Sequence, residues 1–121
     1  HNVDGFKSIR KQLKYIHEKL HQELHIVFGM VSDKDISSVL ELLPKDATYY
    51  FTKASVKRAM PEDELMKMAS EAGLKGTSYP TVVDAVRAAK ENCLPKDFIF
   101  VGGSSFIVAD LLANRDTLNL Y

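Results

Sequence analysis

A seven-residue run, Leu24–Met30, limits the possible folds of this chain more than any other feature. His25 is its only polar side chain, so both faces of an extended segment would be apolar. The run is too short for a free helix, and it is rich in residues that favour strands. Such runs are typical of parallel strands that are covered on both sides. The sequence therefore predicts a buried strand here.

Amphipathic helices alternate with strands along the rest of the chain. Apolar residues spaced three and four apart predict a helix over residues 5–21, and the same pattern recurs between later turn signals. Four further helices are predicted: one that follows Asp33 or Asp35 and stops before Pro44, one that starts near Pro61 and ends at Gly73, one that starts at Pro80, and one that follows Ser105. Two further strands are predicted, Ala47–Thr52 and Asp97–Val101. Residues 76–79 are predicted to be a connector.

This alternation predicts the α/β class, with a three-layer, Rossmann-like, mainly parallel sheet and helices on both faces. The length of 121 residues fits one domain, residues 1–121. A βαβ unit would place a strand before the first helix, and none is visible. We therefore expect the first strand to be truncated.

Composition excludes several classes of function. Lys+Arg and Asp+Glu both total 16, and neither sign forms a block, so nucleic acids and anionic lipids are disfavoured partners. No apolar run approaches the roughly 20 residues that cross a bilayer, so no membrane association is predicted. Cys93 is the single cysteine, which excludes an intrachain disulfide and a cysteine-based zinc site and favours the cytoplasm. We predict no metal site.

Ligands of an open parallel sheet bind beyond the carboxyl ends of its strands, so the loops that leave the strands are the candidate sites. The Gly102–Ser105 turn precedes a helix, and the N-terminal amides of that helix could bind an anion. The alternative interpretation, of equal weight, is a tight turn with Ser104 as N-cap. Lys53, Lys57 and Arg58 could hold a carboxylate or phosphate, or they form an ordinary solvated basic loop.

His17–His21 matches the motif H-E-x-x-H, in which two histidines one helical turn apart bind zinc. No clear third ligand follows, so a solvated helix edge is the favoured interpretation. His25 is predicted to be a hydrogen-bonded core or interface histidine, and Cys93 a packed thiol. No Walker-type phosphate loop or G-x-G-x-x-G turn is present, so the chain encodes no self-contained nucleotide site of either kind.

Four segments in order resemble the carboxy-terminal domain of folylpolyglutamate synthase/dihydrofolate synthase, a branch of the Mur-ligase superfamily. The first, His1-Asn2, is similar to the end of an Asp-x-Ala/Gly-His-Asn motif, and the second, Tyr50–Ala54 with Lys57-Arg58-Ala59, is similar to a strand that runs into a loop bearing Arg-Ala. The third is the helical stretch Tyr79–Ala89. The fourth, Asp97–Phe106, is similar to an Asp-x-(apolar)-Gly-Ser strand, turn and helix. The resemblance runs through the whole chain.

The resemblance implies an ATP-dependent ligase that joins glutamate to dihydropteroate or folyl-glutamate through an acyl phosphate. ATP and magnesium would be bound mainly by an amino-terminal ATPase domain, and this chain alone would be inactive. The residues carried over are His1 and Asn2 as catalytic residues at the active-site edge, Ser104 or Ser105 as a glutamate contact, and Lys53 and Arg58 as electrostatic contacts. The alternative is a stand-alone Rossmann-like binding or interaction module, which shares the fold but has no ligase partner.

Overall fold

The computed structural model describes residues 3–20, 23–32 and 35–120, without the side chains of residues 4 and 17–20. Helices and strands alternate along these residues. In chain order, they are α1 (Val3–Leu20), β1 (Leu24–Gly29), α2 (Ile36–Leu42), β2 (Ala47–Phe51), α3 (Glu62–Glu71), β3 (Lys75–Ser78), α4 (Val82–Asn92), β4 (Phe98–Gly103) and α5 (Ser105–Ala113). None of the helices described is long and apolar enough to cross a bilayer.

The four strands form one sheet in the order β3-β2-β1-β4, and every pairing is parallel. β1 lies in the middle, and all six of its residues are buried. It pairs with β2 from Leu24↔Ala47 to Phe28↔Phe51, and with β4 as far as Gly29↔Gly103. The predicted buried strand is confirmed, because side chains on both of its faces lie inside a core.

Each face of the sheet carries its own core. On one face, Ile26 and Phe28 of β1 pack against buried side chains of α1, α2 and α3, such as Phe6. On the other face, Val27 and the next strand's Tyr50 pack against α4 and α5. The predicted three-layer arrangement with helices on both faces is therefore confirmed.

Helix starts follow the capping residues that the sequence contains. Asp35 caps α2, because its carboxylate accepts from the backbone N–H of Ser38 at 3.3 Å. Thr81 caps α4 through a 3.1 Å bond from the N–H of Asp84. Pro61 stands at the N-cap of α3, one position before the first turn. The Asp35 and Thr81 caps therefore fix where α2 and α4 begin.

Strand β3 was wrongly predicted to be a connector. Its four residues pair with β2 from Thr48↔Lys75 to Phe51↔Ser78, at the edge of the sheet. None of its side chains is buried and none is apolar, so it carries no hydrophobic pattern from which a strand could be predicted. Close backbone contact defines it instead: a Cβ on Gly76 would lie 2.2 Å from the carbonyl oxygen of Tyr49.

We predict that Gly76→Ala lowers the free energy of unfolding by about 1–3 kcal/mol, because the new methyl group forces the β2 and β3 backbones apart. Thr77→Ala, at the exposed neighbouring position, is the matched control and should change it by less than about 0.5 kcal/mol. Urea denaturation of both variants measures the difference. Equal stability of the two variants would contradict the close approach.

Candidate functional site

The connections change direction between β1 and β4. From β1 the chain moves through α2 to β2 and through α3 to β3, and α4 then returns it to β4 on the other side of β1. A pocket of about 180 Å³ opens at this point, beyond the carboxyl ends of the two strands. Its walls are Met30 and Val31 after β1, Arg58 from the loop after β2, and the segment 103–106. This is where an open α/β sheet binds ligands.

Gly103 sets the shape of this pocket. Its φ of 111° is one that other residues rarely adopt, and a Cβ there would lie 2.0 Å from the carbonyl oxygen of Gly29. The same carbonyl accepts a hydrogen bond from the N–H of Ser104 at 2.9 Å. Only glycine allows this approach, and it holds the start of α5 against the end of β1.

Ser104 is buried and caps α5, since its Oγ accepts from the N–H of Phe106 at 3.2 Å. The capping interpretation of the Gly-Gly-Ser-Ser turn is therefore correct. It does not remove Ser104 from the candidate site, because a hydroxyl that accepts one bond still has its own proton to donate. Ser105 lines the same pocket with an exposed side chain.

The backbone around Arg58 is held in place from both sides. The N–H of Ser32 donates to the Arg58 carbonyl at 2.8 Å, and the N–H of Met60 donates to the Met30 carbonyl at 2.8 Å. Further along α5, the Asp110 carboxylate accepts bonds of 2.8 and 2.9 Å from the backbone and hydroxyl of Ser55. The backbone that carries the exposed Arg58 side chain is therefore fixed at the pocket wall.

The structure brings together three of the predicted site residues, Arg58, Ser104 and Ser105. Lys53 is exposed in the same loop as Arg58, but it is not among the residues that line the pocket. His1 and Asn2 lie outside the described residues, as do the side chains of the H-E-x-x-H motif.

The sequence did not single out the apolar part of the pocket wall. Met30 and Val31 continue the apolar run of β1, and Phe106 follows the Gly-Gly-Ser-Ser turn with 37% of its surface exposed. The available signal was that Met30 and Val31 directly follow β1 and that Phe106 lies in the first turn of the helix after β4.

The lining contains an arginine, two serines and the first turn of a helix, but no carboxylate. Such a set fits an anionic group, because the arginine and the helix N-terminus both favour negative charge. It lacks the one or two carboxylates through which proteins usually bind magnesium. The described lining of this pocket therefore fits an anionic group better than magnesium.

A second group of polar side chains lies at the opposite, amino end of the sheet. His25 bonds through Nδ1 to the Tyr50 hydroxyl at 2.8 Å and through Nε2 to Asp97 at 2.9 Å, so it is the hydrogen-bonded core histidine that was predicted. The Leu94 N–H and then His25 lower the pKa of Asp97. Burial, and then Asp97, raise the pKa of the nearby Cys93 thiol, which makes it a poor nucleophile.

Fold and site together define an α/β domain with a crevice, lined by Arg58, two serines and a helix N-terminus, at the point where its strand order reverses. Residues 1–105 match the family described as Mur ligase, glutamate ligase domain. The chain belongs to this family.

Individual proteins and solved structures are also similar to this chain. The chain is 28% identical over 114 residues to dihydrofolate synthase/folylpolyglutamate synthase of Buchnera aphidicola, a match that covers 88% of this chain and 27% of that protein. FolC of E. coli, solved in complex with DHPP and ADP, superposes with a TM-score of 0.85 at 23% identity, over 98% of this chain and 28% of the other.

The Yersinia pestis bifunctional folylpolyglutamate synthase/dihydrofolate synthase, complexed with AMPPNP and Mn ion, gives a TM-score of 0.79 at 23% identity over 96% of this chain and 27% of that one. At these identities the solved structures establish the fold. The chain spans about a quarter of the length of each of these three proteins.

We predict that Ser104→Ala lowers the free energy of unfolding by about 1 kcal/mol, because the N–H of Phe106 loses its capping partner. Ser105→Ala removes an exposed hydroxyl that caps nothing and should change stability by less than about 0.5 kcal/mol. Urea denaturation of the two variants separates these effects, and Ser104→Thr should restore most of the loss. A Ser104→Ala variant as stable as the unsubstituted chain would contradict the capping role of Ser104.

Proposed function

We propose that this chain is the carboxy-terminal domain of an ATP-dependent folylpolyglutamate/dihydrofolate synthase, and that its pocket binds the incoming glutamate. The carrying observation is that Arg58, Ser104, Ser105 and the N-terminus of α5 meet in one pocket of a glutamate ligase domain. The pocket lies at the site where its fold class binds ligands.

Glutamate suits this pocket because it carries carboxylates. The planar guanidinium of Arg58 can hold a carboxylate through two parallel bonds, and the Ser104 hydroxyl can donate a further one. The first turn of α5 adds a favourable dipole. At about 180 Å³ the pocket is smaller than the roughly 300–1,000 Å³ of typical ligand sites, so it fits one small ligand in a site that a second domain completes.

The proposed reaction joins the amino group of glutamate to the carboxylate of dihydropteroate or of a folyl-glutamate. ATP with magnesium, held mainly by an amino-terminal ATPase domain, would supply the phosphorylation that turns this carboxylate into an acyl phosphate. This chain's residues would hold glutamate in position for attack, which converts a bimolecular step into an effectively unimolecular one. His1 and Asn2 would lie at the edge of the same site, and Lys53 would add positive charge near it.

The comparisons support this proposal at the level of the parent protein. The E. coli relative was solved with DHPP and ADP, and the Yersinia pestis relative with AMPPNP and Mn ion. We extend nucleotide and metal use from them to the parent of this chain and not to this domain alone. The proposal also places the parent in the cytoplasm, in agreement with the lone Cys93.

We predict that the chain alone releases no phosphate from ATP in the presence of magnesium, glutamate and a folate. Mixed with a separately produced amino-terminal half of the parent, it should give release that depends on glutamate, and omission of glutamate is the control. Phosphate release is measured directly. An intact parent that shows no glutamate-dependent release would contradict the proposal and favour the stand-alone module.

We predict that Arg58→Ala raises the KM for glutamate of the intact parent by about 10–100-fold, the loss expected for a hydrogen bond to a charged group. Lys57→Ala, at the exposed position beside it in the loop, is the matched control and should leave KM within about twofold. Steady-state kinetics with varied glutamate measures both. Equal effects of the two variants would assign Arg58 to general surface charge instead of the pocket.

A further inference from the structure

Three side chains of different chemistry meet at the amino end of the sheet, far from the pocket. His25 comes from β1, Cys93 is the C-cap of α4, and Asp97 immediately precedes β4. Their potential ligand atoms all lie within 4.8 Å of one another. We propose that these three residues form a zinc-binding site.

The donor set favours zinc over magnesium and calcium. An imidazole nitrogen, a thiolate and a carboxylate oxygen are each ordinary zinc ligands, whereas magnesium and calcium take oxygen ligands alone. Three protein ligands leave a fourth tetrahedral position for water, the arrangement of open zinc sites. The cluster therefore offers a complete protein ligand set without a second cysteine.

One pair of ligands is already close to the separation that the metal requires, whereas Cys93 lies within 4.8 Å of the other two ligands and must approach them to about 3.5 Å. His25 Nε2 and Asp97 Oδ2 are 2.9 Å apart. Two ligands about 2.0–2.1 Å from a tetrahedral zinc ion lie about 3.3 Å apart, so this pair must separate by only about 0.4 Å. Both side chains are less than a tenth exposed, whereas Cys93 is half-buried and gives the ion a way in.

Outer hydrogen bonds already hold two of the three ligands in place. The Tyr50 hydroxyl lies 2.8 Å from His25 Nδ1 and itself accepts from the Asn92 amide at 3.4 Å. The Leu94 N–H donates to Asp97 at 3.0 Å. Zinc sites use such bonds to fix the tautomer of a ligating histidine and the direction of a carboxylate. Zinc would replace the hydrogen bond between His25 Nε2 and Asp97 and release the Cys93 thiol proton to solvent, and it requires the tautomer in which Nδ1–H donates to Tyr50 and Nε2 keeps its lone pair.

The sequence predicted no metal site, because it contains only one cysteine and no clear third ligand for His17 and His21. His25 and Asp97 are 72 residues apart, and only the pairing of β1 with β4 brings them together. No local spacing motif could have indicated the cluster.

Cobalt(II) titration of the purified chain tests the site, because cobalt substitutes for zinc and a cysteine ligand gives a sulfur-to-metal charge-transfer band in the near ultraviolet. We expect one equivalent of cobalt to produce this band and one equivalent of zinc to remove it. Absence of the band would overturn the proposal. A band that persists in Cys93→Ser would overturn it as well.

Variants distinguish this site from other metal binding. Asp97→Asn and His25→Gln should each weaken cobalt binding at least tenfold, whereas Asp63→Asn, on an exposed helix turn, should leave it unchanged. Tyr50→Phe keeps the buried ring and should weaken binding about tenfold through the lost outer bond. Unchanged cobalt affinity in both Asp97→Asn and Tyr50→Phe would show binding by the thiol without the cluster and overturn the proposal. His17→Gln/His21→Gln should keep the band, and its loss there would assign the metal to that histidine pair and overturn the proposal.

Discussion

The parallel pairing of β1 with β4 is the interaction on which the rest of the structure depends. It runs in register from Leu24↔Phe98 to Gly29↔Gly103, where the two backbones come so close that a side chain on Gly103 would overlap the Gly29 carbonyl. At its carboxyl end this pairing places α5 against the end of β1 and opens the pocket. At its amino end it places Asp97 beside His25. One ladder of backbone bonds therefore builds both candidate sites.

Those parts of the fold that bury apolar surface were predictable from sequence, and those held by backbone contact were not. The run Leu24–Met30 predicted β1 because its side chains must leave water on both faces. Strand β3 has four polar or glycine residues at a sheet edge, so burial contributes nothing that a pattern could reveal. Its place depends on Gly76, whose meaning appears only when Tyr49 lies beside it.

The candidate site was predictable to the level of loops but not of individual roles. Sequence reasoning could state that the loops after parallel strands meet, and this selected Arg58 and Ser104. It could not show that Arg58 lines the pocket and Lys53 does not, because this depends on which part of the loop is held against residues 30–32. It also treated capping and ligand contact by Ser104 as alternatives, whereas the geometry allows one hydroxyl to do both.

The proposed division of the site between two domains follows from the energetics of an exposed charge. Arg58 is open to water here, and a salt link between exposed groups contributes at most about 1 kcal/mol. The same guanidinium and helix N-terminus bind a carboxylate more strongly once a second surface excludes water, because the local dielectric constant falls. In the proposed parent, an open pocket on this chain alone holds glutamate weakly, and closure of the ATPase domain over it supplies the missing affinity. Binding of glutamate and assembly of the reacting site are then one event, which protects the acyl phosphate from water until the amino group is in place.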